Sequence, residues 1–297
     1  MLGEDYVWVV GEALIDLVPD DSHKRIAIVG GGPANTAKSL ANLGCKTQFI
    51  GGISDDQYGE MIKSELSSYG VMLDLTHTST LPTATATVTL DKTGSAEYEF
   101  SLSDTATFDF HTSWLPNGNP IVIHIGTLAA IIEPGASALW TWAKQIQAPI
   151  VFDPNIRPSV MQDQCRYREY VEKWMRCSSV VKMSDEDFCW LYPDLSSGAD
   201  LLEFGPQLIV MTHGARGLTA YHGSSSVSVS GFEVEVVDTV GAGDTVGAVI
   251  VESIFQVGID RTIQNLEKVL SRAAKAAAIT CSRSGAHPPS AVELQNT

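Results

Sequence analysis

Several clusters in this chain combine glycine with a side chain that can do chemistry. The most concentrated is Asp238-Thr239-Val240-Gly241-Ala242-Gly243-Asp244. Backbone N–H groups at a helix start lack internal partners, and the helix carries about +0.5 charge there. Gly241, Ala242 and Gly243 leave those groups open to close approach by an anion such as a phosphate. Asp244 is the odd member, because a carboxylate beside a bound phosphate repels it. Facing a second reactant, the same carboxylate could remove a proton. A plainer reading also fits locally: Asp244 caps a helix and the glycines make a turn.

A second cluster, Gly30-Gly31-Gly32-Pro33-Ala34-Asn35, stands between a strand pattern and an amphipathic helix reaching about Leu43. Gly30, Gly32 and Asn35 occupy a G-x-G-x-x-G spacing with Asn in the last place. A dinucleotide site also needs an acid about 20 residues on, at the end of the next strand. That strand ends in Gly51-Gly52, so the dinucleotide reading fails. Asn35 instead offers an amide donor and acceptor beside a bare backbone, which suits a small polyhydroxylated molecule. Asp16, flanked by Leu14, Ile15, Leu17 and Val18, either turns into a cleft or faces solvent from an edge strand.

Two more polar clusters end expected strands, where open α/β sheets bind ligands. One is Asp153-Pro154-Asn155-Ile156-Arg157-Pro158, whose guanidinium suits a phosphate or a sugar oxygen. The other is Thr212-His213-Gly214-Ala215-Arg216-Gly217. Ser184-Asp185-Glu186-Asp187 opens a helix; its Ser cap and acidic first turn are sufficient structural reasons for it, and its acids could also reach Mg2+ through water.

The elements that must position these clusters alternate in type. Strands are expected from Tyr6 to Val10, Ile121 to Ile125, Pro149 to Phe152 and Leu208 to Thr212. Helices are expected from Gly59 to Tyr69, Pro134 to Gln147, Tyr167 to Met175 and Asn265 to Cys281. The alternating Phe232-Glu233-Val234-Glu235-Val236-Val237 reads as a strand leading into Asp238, and Thr245 to Phe255 as a buried helix. Residues 83–90 and 96–102 alternate around Asp91-Lys92-Thr93-Gly94, a β-hairpin signature. They make either an ordinary surface hairpin or, with residues 13–29, a small sheet standing off the main body and able to cover a cleft.

The 297 residues are 44% hydrophobic and 18% charged, which suits one large soluble domain over 1–297, or one domain with a small appendage. The net charge of −16 argues against nucleic acid or an anionic membrane as partner, and means that a phosphate needs a local device to hold it. Five cysteines without a CxxC pair predict reduced thiols and a cytoplasmic protein. The histidines show no zinc-ligand spacing, and His124, inside Ile121-Val122-Ile123-His124-Ile125, reads as a packed, hydrogen-bonded core histidine. No basic leader opens the chain, and no apolar run reaches ~18 residues.

In this order the clusters resemble the PfkB (ribokinase-like) carbohydrate kinase family. Gly30 to Asn35 resembles its GG-x-x-x-N element, Thr212 to Gly217 its T-x-G-x-x-G nucleotide loop, and Asp238 to Asp244 its DTxGAGD signature. The resemblance covers nearly the whole chain. It implies a three-layer α/β/α fold with a mostly parallel central sheet and a small β lid, formed by about 13–29 and 83–102. It also implies transfer of the ATP γ-phosphoryl group to a sugar hydroxyl. Asp244 would be the base, and the amides of Gly241, Ala242 and Gly243 would stabilise the moving group. Asp16, Gly31, Gly32 and Asn35 resemble sugar-binding residues, joined by Phe100 and Arg157. Ser184, Thr212, Gly214, Gly217, Gly243, Gly285 and Ala286 resemble ATP contacts. Asp187 stands where the family ties Mg2+, here through water, and Asp238 near its site for a monovalent cation such as K+. The lid often makes a homodimer contact in the family.

Gly11-Glu12-Ala13-Leu14-Ile15-Asp16, the GGxPAN form of the second cluster, and DPNIRP resemble fructokinases most. Three positions depart from the pattern. The family's N-x-x-E appears as Ser184-Asp185-Glu186-Asp187, and Ser54 stands where a glycine often precedes Asp55-Asp56. Phe100-Ser101-Leu102-Ser103 keeps the lid aromatic without the arginine that often follows it in fructokinases. The alternatives are another kinase of the family, namely a ribokinase, a 2-keto-3-deoxygluconate kinase or a nucleoside kinase, and a non-catalytic sugar- or nucleotide-binding protein. A nucleoside kinase would need aromatics such as Phe100 and Phe108 around a base.

Overall fold

A computed structural model describes residues 5–19, 24–90 and 96–296. The chain enters through β1 (Val7–Val10), β2 (Leu14–Pro19) and β3 (Arg25–Gly30), then helix α1 (Gly32–Asn42). β4 (Thr47–Ile50), β5 (Gly52–Ser54), α2 (Gln57–Ser68) and β6 (His77–Ser79) lead to the hairpin β7 (Thr85–Leu90) and β8 (Ala96–Ser101). Strand and helix then alternate through β9 (Val122–Gly126), α3 (Gly135–Ala143), β10 (Ile150–Asp153), α4 (Gln164–Met175), β11 (Val180–Ser184), α5 (Asp185–Leu191) and β12 (Leu208–Thr212). β13 (Leu218–His222) and β14 (Ser225–Val229) precede α6 (Ala242–Val257), α7 (Ile259–Gln264), α8 (Leu266–Cys281) and α9 (Ala291–Asn296).

The main sheet has the order β14-β13-β12-β11-β10-β9-β1-β4. From β12 to β4 every neighbouring pair is parallel. Helical crossovers cover both faces of such a sheet, so its strands read as continuous apolar runs. The pleat then sorts residues between two cores. On β1, Val7 and Val9 join the core that includes α1, α6 and α8, while Trp8 and Val10 join the core that includes α3, α4 and α5. On β11, Val180 belongs to the first core and Val181 and Met183 to the second, which turns Lys182 toward α6. The result is a three-layer α/β/α fold around a mostly parallel sheet.

The small lid sheet has the order β3-β2-β7-β8. β2 pairs antiparallel with β3 and parallel with β7, joining the two segments expected to form it. The turn assigned to Asp91-Lys92-Thr93-Gly94 lies outside the described residues. Asp56 caps α2, accepting from Gly59 N at 2.7 Å, and its carboxylate also accepts from Thr83 N and Thr83 Oγ1 just before β7. One carboxylate thus ties the lid's entry to the main body.

The strand expected over Phe232 to Val237 does not form; that stretch is irregular. Its residues alternate in type, but the glutamates and the apolar residues are exposed alike, with Phe232 at 49% and Val236 at 61%. Alternation fixes a strand only where one of the two faces is buried. The helix expected from Pro134 to Gln147 is shorter, ending at Ala143. Among the described residues no helix is long and apolar enough to cross a membrane.

Candidate active site

α1 and α6 pack against each other, and their starts converge beyond the ends of β9 and β10. Asn35, in the first turns of α1, donates from Nδ2 to Asp244 Oδ2 at 2.9 Å, across 209 residues of sequence. Asp244 Oδ1 faces Gly32: a Cβ there would lie 3.3 Å from it, 3.3 Å from Asn155 Nδ2 and 2.8 Å from Thr127 Cγ2. The missing side chain of Gly32 therefore lets Thr127, Asn155 and Asp244 close in on the bare start of α1.

Asp244 does not cap α6. Gly241, at φ 79° in the left-handed region, takes the cap position with no side-chain bond, and Asp244 lies in the first helical turn. Its carboxylate is thereby released toward Asn35 and Gly32. Asp244 is 7% exposed. Burial pushes its carboxyl up to about 6, against the downward pull of the Lys182 ammonium and the Asn35 bond. A group titrating there is ionised at neutral pH and still basic enough to accept a proton.

Two residues beside Gly32 carried no role in the sequence reading. Thr127 (φ 43°) and Asn155 (φ 38°) both hold the left-handed backbone that non-glycine residues rarely adopt, a strain that clusters at functional sites. Asn155 was visible only as part of DPNIRP, and Thr127 only as the residue after a buried strand. Glu12 braces the Thr127 turn. Its buried carboxylate accepts from Leu128 N at 3.3 Å and Ala129 N at 3.0 Å, and burial lifts it to about 7. Among the described residues the buried oxygens Asn35 Oδ1 and Thr127 Oγ1 have no partner, which leaves them able to bond a hydroxylated molecule.

The other expected hydroxyl-binding residues divide. Asp16 on β2 sits beside Gly30, where a Cβ would lie 2.1 Å from its Oδ2, and burial lifts its carboxyl to about 6. Gly31, at φ 105°, caps α1 close to the Glu12 carbonyl. Arg157 is exposed and folds back, its Nη1 donating to Asn155 O, Asn155 Oδ1 and Ile156 O at 2.7–3.1 Å. Phe100 on β8 lies opposite Ala86 and packs against the core shared by Trp8 and Phe152.

The glycine loop after β12 faces the approach to α6. A Cβ on Gly217 would come within 2.0 Å of Val229 O, so this glycine lets the loop close on β14. The exposed stretch of residues 232–237 then reaches Asp238, whose Oδ1 accepts from Val240 N at 3.0 Å and Oδ2 from Gly285 N at 2.8 Å. Val237 N and Asp238 N both donate to Cys281 O. Gly241 packs on Ala286, where a Cβ on it would be 2.7 Å from the Ala286 Cβ. Asp238, Gly241, Gly285 and Ala286 thus form one stapled turn. Ser184 caps α5 through Asp187 N at 3.0 Å, and burial raises the Asp187 carboxyl.

Beneath the first turn of α6 lies a buried polar row from three adjacent strands: His124 on β9, Asp153 on β10 and Lys182 on β11. Lys182 Nζ donates to Asp153 Oδ2 at 2.6 Å and to Gly243 O at 3.4 Å. His124 is packed as expected, but among the described residues neither of its buried ring nitrogens has a hydrogen-bond partner, and burial lowers it to about 4.

A glycine-lined helix start beside a buried carboxylate, under a small β lid, fits holding an anionic group next to a small hydroxylated molecule. The model for the pfkB family carbohydrate kinases matches residues 4–292, and the chain belongs to that family. The fructokinase of Rhizobium leguminosarum bv. trifolii is 36% identical over 255 residues, covering 82% of this chain and 78% of that protein. A fructokinase from Xylella fastidiosa, solved with bound ATP, shares the fold at TM-score 0.88 and 24% identity, over 98% of this chain and 97% of that one. A fructokinase from Vibrio cholerae O395, solved with fructose, ADP and calcium ion bound, gives TM-score 0.87 and 25% identity over 98% of each chain.

Proposed function

We propose that this sugar kinase is a fructokinase, transferring the γ-phosphoryl group of ATP to a hydroxyl of fructose. The observation that carries the reading is the buried Asp244 carboxylate, bonded to Asn35 and set against the bare backbone of Gly32. Fructose is favoured by the named relatives.

On this reading Asp16, Gly31, Gly32 and Asn35 hold the sugar, with Thr127 and Asn155 added and Arg157 at the rim. Asp244 Oδ1 accepts the hydroxyl proton as that oxygen bonds to the γ-phosphorus and the bond to the ADP oxygen breaks. The amides of Gly241, Ala242 and Gly243, at the positive end of α6, offset the charge on the moving group. Thr212, Gly214, Gly217, Gly285 and Ala286 line the nucleotide, and Ser184 positions the α5 start beside it. Among the described residues no group of three His, Cys, Asp or Glu side chains is placed to hold a metal. Asp187 would meet Mg2+ through water, and the ion would neutralise phosphate charge when bound. K+ would sit at the turn stapled by Asp238, where backbone carbonyls can ligate it. Exposed Ile26 and Ile28 on the edge strand β3 favour a second copy against the lid.

The test is ADP release with ATP, Mg2+ and a panel of ketohexoses, aldohexoses, pentoses and nucleosides. Fructose should show the highest kcat/KM. A different preferred acceptor would replace fructose, and no release with any acceptor would sink the activity.

A further inference from the structure

Lys182 lies in the middle of the sheet, its side chain 6% exposed, between the buried apolar residues Val181 and Met183. A buried ammonium is costly unless paired, and a buried Lys–Asp pair is often no more stabilising than apolar residues of the same volume. Stability alone is therefore a weak reason for a lysine here. Its surroundings give a stronger one. Asp153 Oδ2 holds the ammonium at 2.6 Å, which leaves it against the Gly243 carbonyl at 3.4 Å. A Cβ on Gly243 would lie 3.2 Å from Nζ, and one on Gly247 would lie 4.0 Å from Lys182 Cδ, so the lysine runs directly under the first turn of α6.

We propose that Lys182 is a positioning residue for phosphoryl transfer: clamped by Asp153, it fixes the Gly243 peptide of the anion cradle and supplies the positive charge that keeps Asp244 ionised. The charged groups acting on Asp244 are Lys182 from β11, Asp153 from β10 and Arg157 from the segment after β10, while α1 contributes the neutral Asn35. Lys182 gives the largest downward pull on the Asp244 carboxyl, and Asp153 pushes it up. Burial by itself would depress the Lys182 ammonium, but the Asp153 carboxylate outweighs it and the net shift is upward, so the charge persists at neutral pH. The nearby His124, held down to about 4 by burial, carries none. Removing the ammonium leaves burial and Asp153 acting together, and the Asp244 carboxyl moves above about 6.

The inference rests on Asp244 being the base. The experiment is the pH dependence of kcat/KM from pH 5 to 9, with ATP, Mg2+ and the best acceptor, for wild type, Lys182→Met and Lys182→Met/Asp153→Asn. The double variant leaves no unpaired buried carboxylate at Asp153, so it keeps the test available if the single variant does not fold. The expected result is an acid limb at least one pH unit above wild type in Lys182→Met, an extra loss of about threefold or more at pH 6.5 that grows to about tenfold at pH 5, both relative to pH 9. The limb of the double variant should also lie above wild type. A limb at the wild-type position in either folded variant overturns the proposal. Loss of cooperative unfolding in both does so too, in favour of a purely structural role. Asp244→Asn, run alongside, separates the two readings: near-normal turnover there removes the base itself. An inactive Asp244→Asn beside an unmoved limb removes only the role given to Lys182.

Discussion

Helices α1 and α6 both begin on a glycine of positive φ, Gly31 at 105° and Gly241 at 79°, and neither start has a side-chain cap. Both lie on the same face of the sheet, and both send a polar side chain from an early turn to one shared point. They differ in what lies around them. The α1 start opens onto Thr127 and Asn155 and contributes the neutral amide of Asn35. The α6 start rests on the Lys182 ammonium and contributes a carboxylate. The uncapped glycine start is a geometric device that clears backbone for a ligand. The groups packed around it decide whether it suits hydroxyls or charge. α2 is the ordinary case, with the Asp56 side chain closing its start.

The largest effect should come from the charge on the α6 side. Asp244→Asn should lower kcat by at least ~10²-fold at pH 8, the scale of a lost general base. The same variant should be more stable. Burial lifts the Asp244 carboxyl from its ordinary 3.8 to about 6. Its stability contribution is therefore full below about pH 4 and is lost as pH rises through about 6. At pH 8 the buried charge works against the fold by roughly 3 kcal/mol, an upper estimate of the gain in urea unfolding. That gain should shrink at pH 5, and a variant equally stable at both pH values would contradict the assignment.

Next in size is the hydroxyl side. Gly32→Ala places a methyl 2.8 Å from Thr127 Cγ2 and 3.3 Å from Asp244 Oδ1. Steady-state kinetics should show the acceptor KM raised by about tenfold or more, of the order expected when about 1–3 kcal/mol of contact is displaced, with the KM for ATP little changed. Equal changes in both would erase the distinction between the two starts.

The smallest effect belongs to the ordinary start. Asp56→Ala should cost about 1–2 kcal/mol in denaturant unfolding, the range for a lost N-cap, while kcat stays within a few-fold of wild type. A loss of turnover approaching that of Asp244→Asn would show that the tie to Thr83 governs the site, and that capped and uncapped starts do not divide structural from chemical roles.

What could be read without coordinates was local. The βα alternation fixes which segments are buried strands, because a doubly covered strand must be apolar throughout. Gly241 to Asp244 and Gly30 to Asn35 announce themselves because a helix start that admits an anion or a hydroxyl needs small residues at adjacent positions. Local pattern also misled. Phe232 to Val237 alternates without a face to bury, and Asp244 looks like a cap because sequence cannot show that Gly241 already fills that position. Other features exist only in three dimensions. Asn35 meets Asp244 across 209 residues, Lys182 reaches Asp153 and Gly243 across 29 and 61, and the strained Thr127 follows an unremarkable apolar strand. The chain determined by itself which residues could carry a charge or clear a backbone. Only tertiary packing decided which of them share a low-dielectric space, and there burial and the nearest ion set whether Asp244 can act as a base.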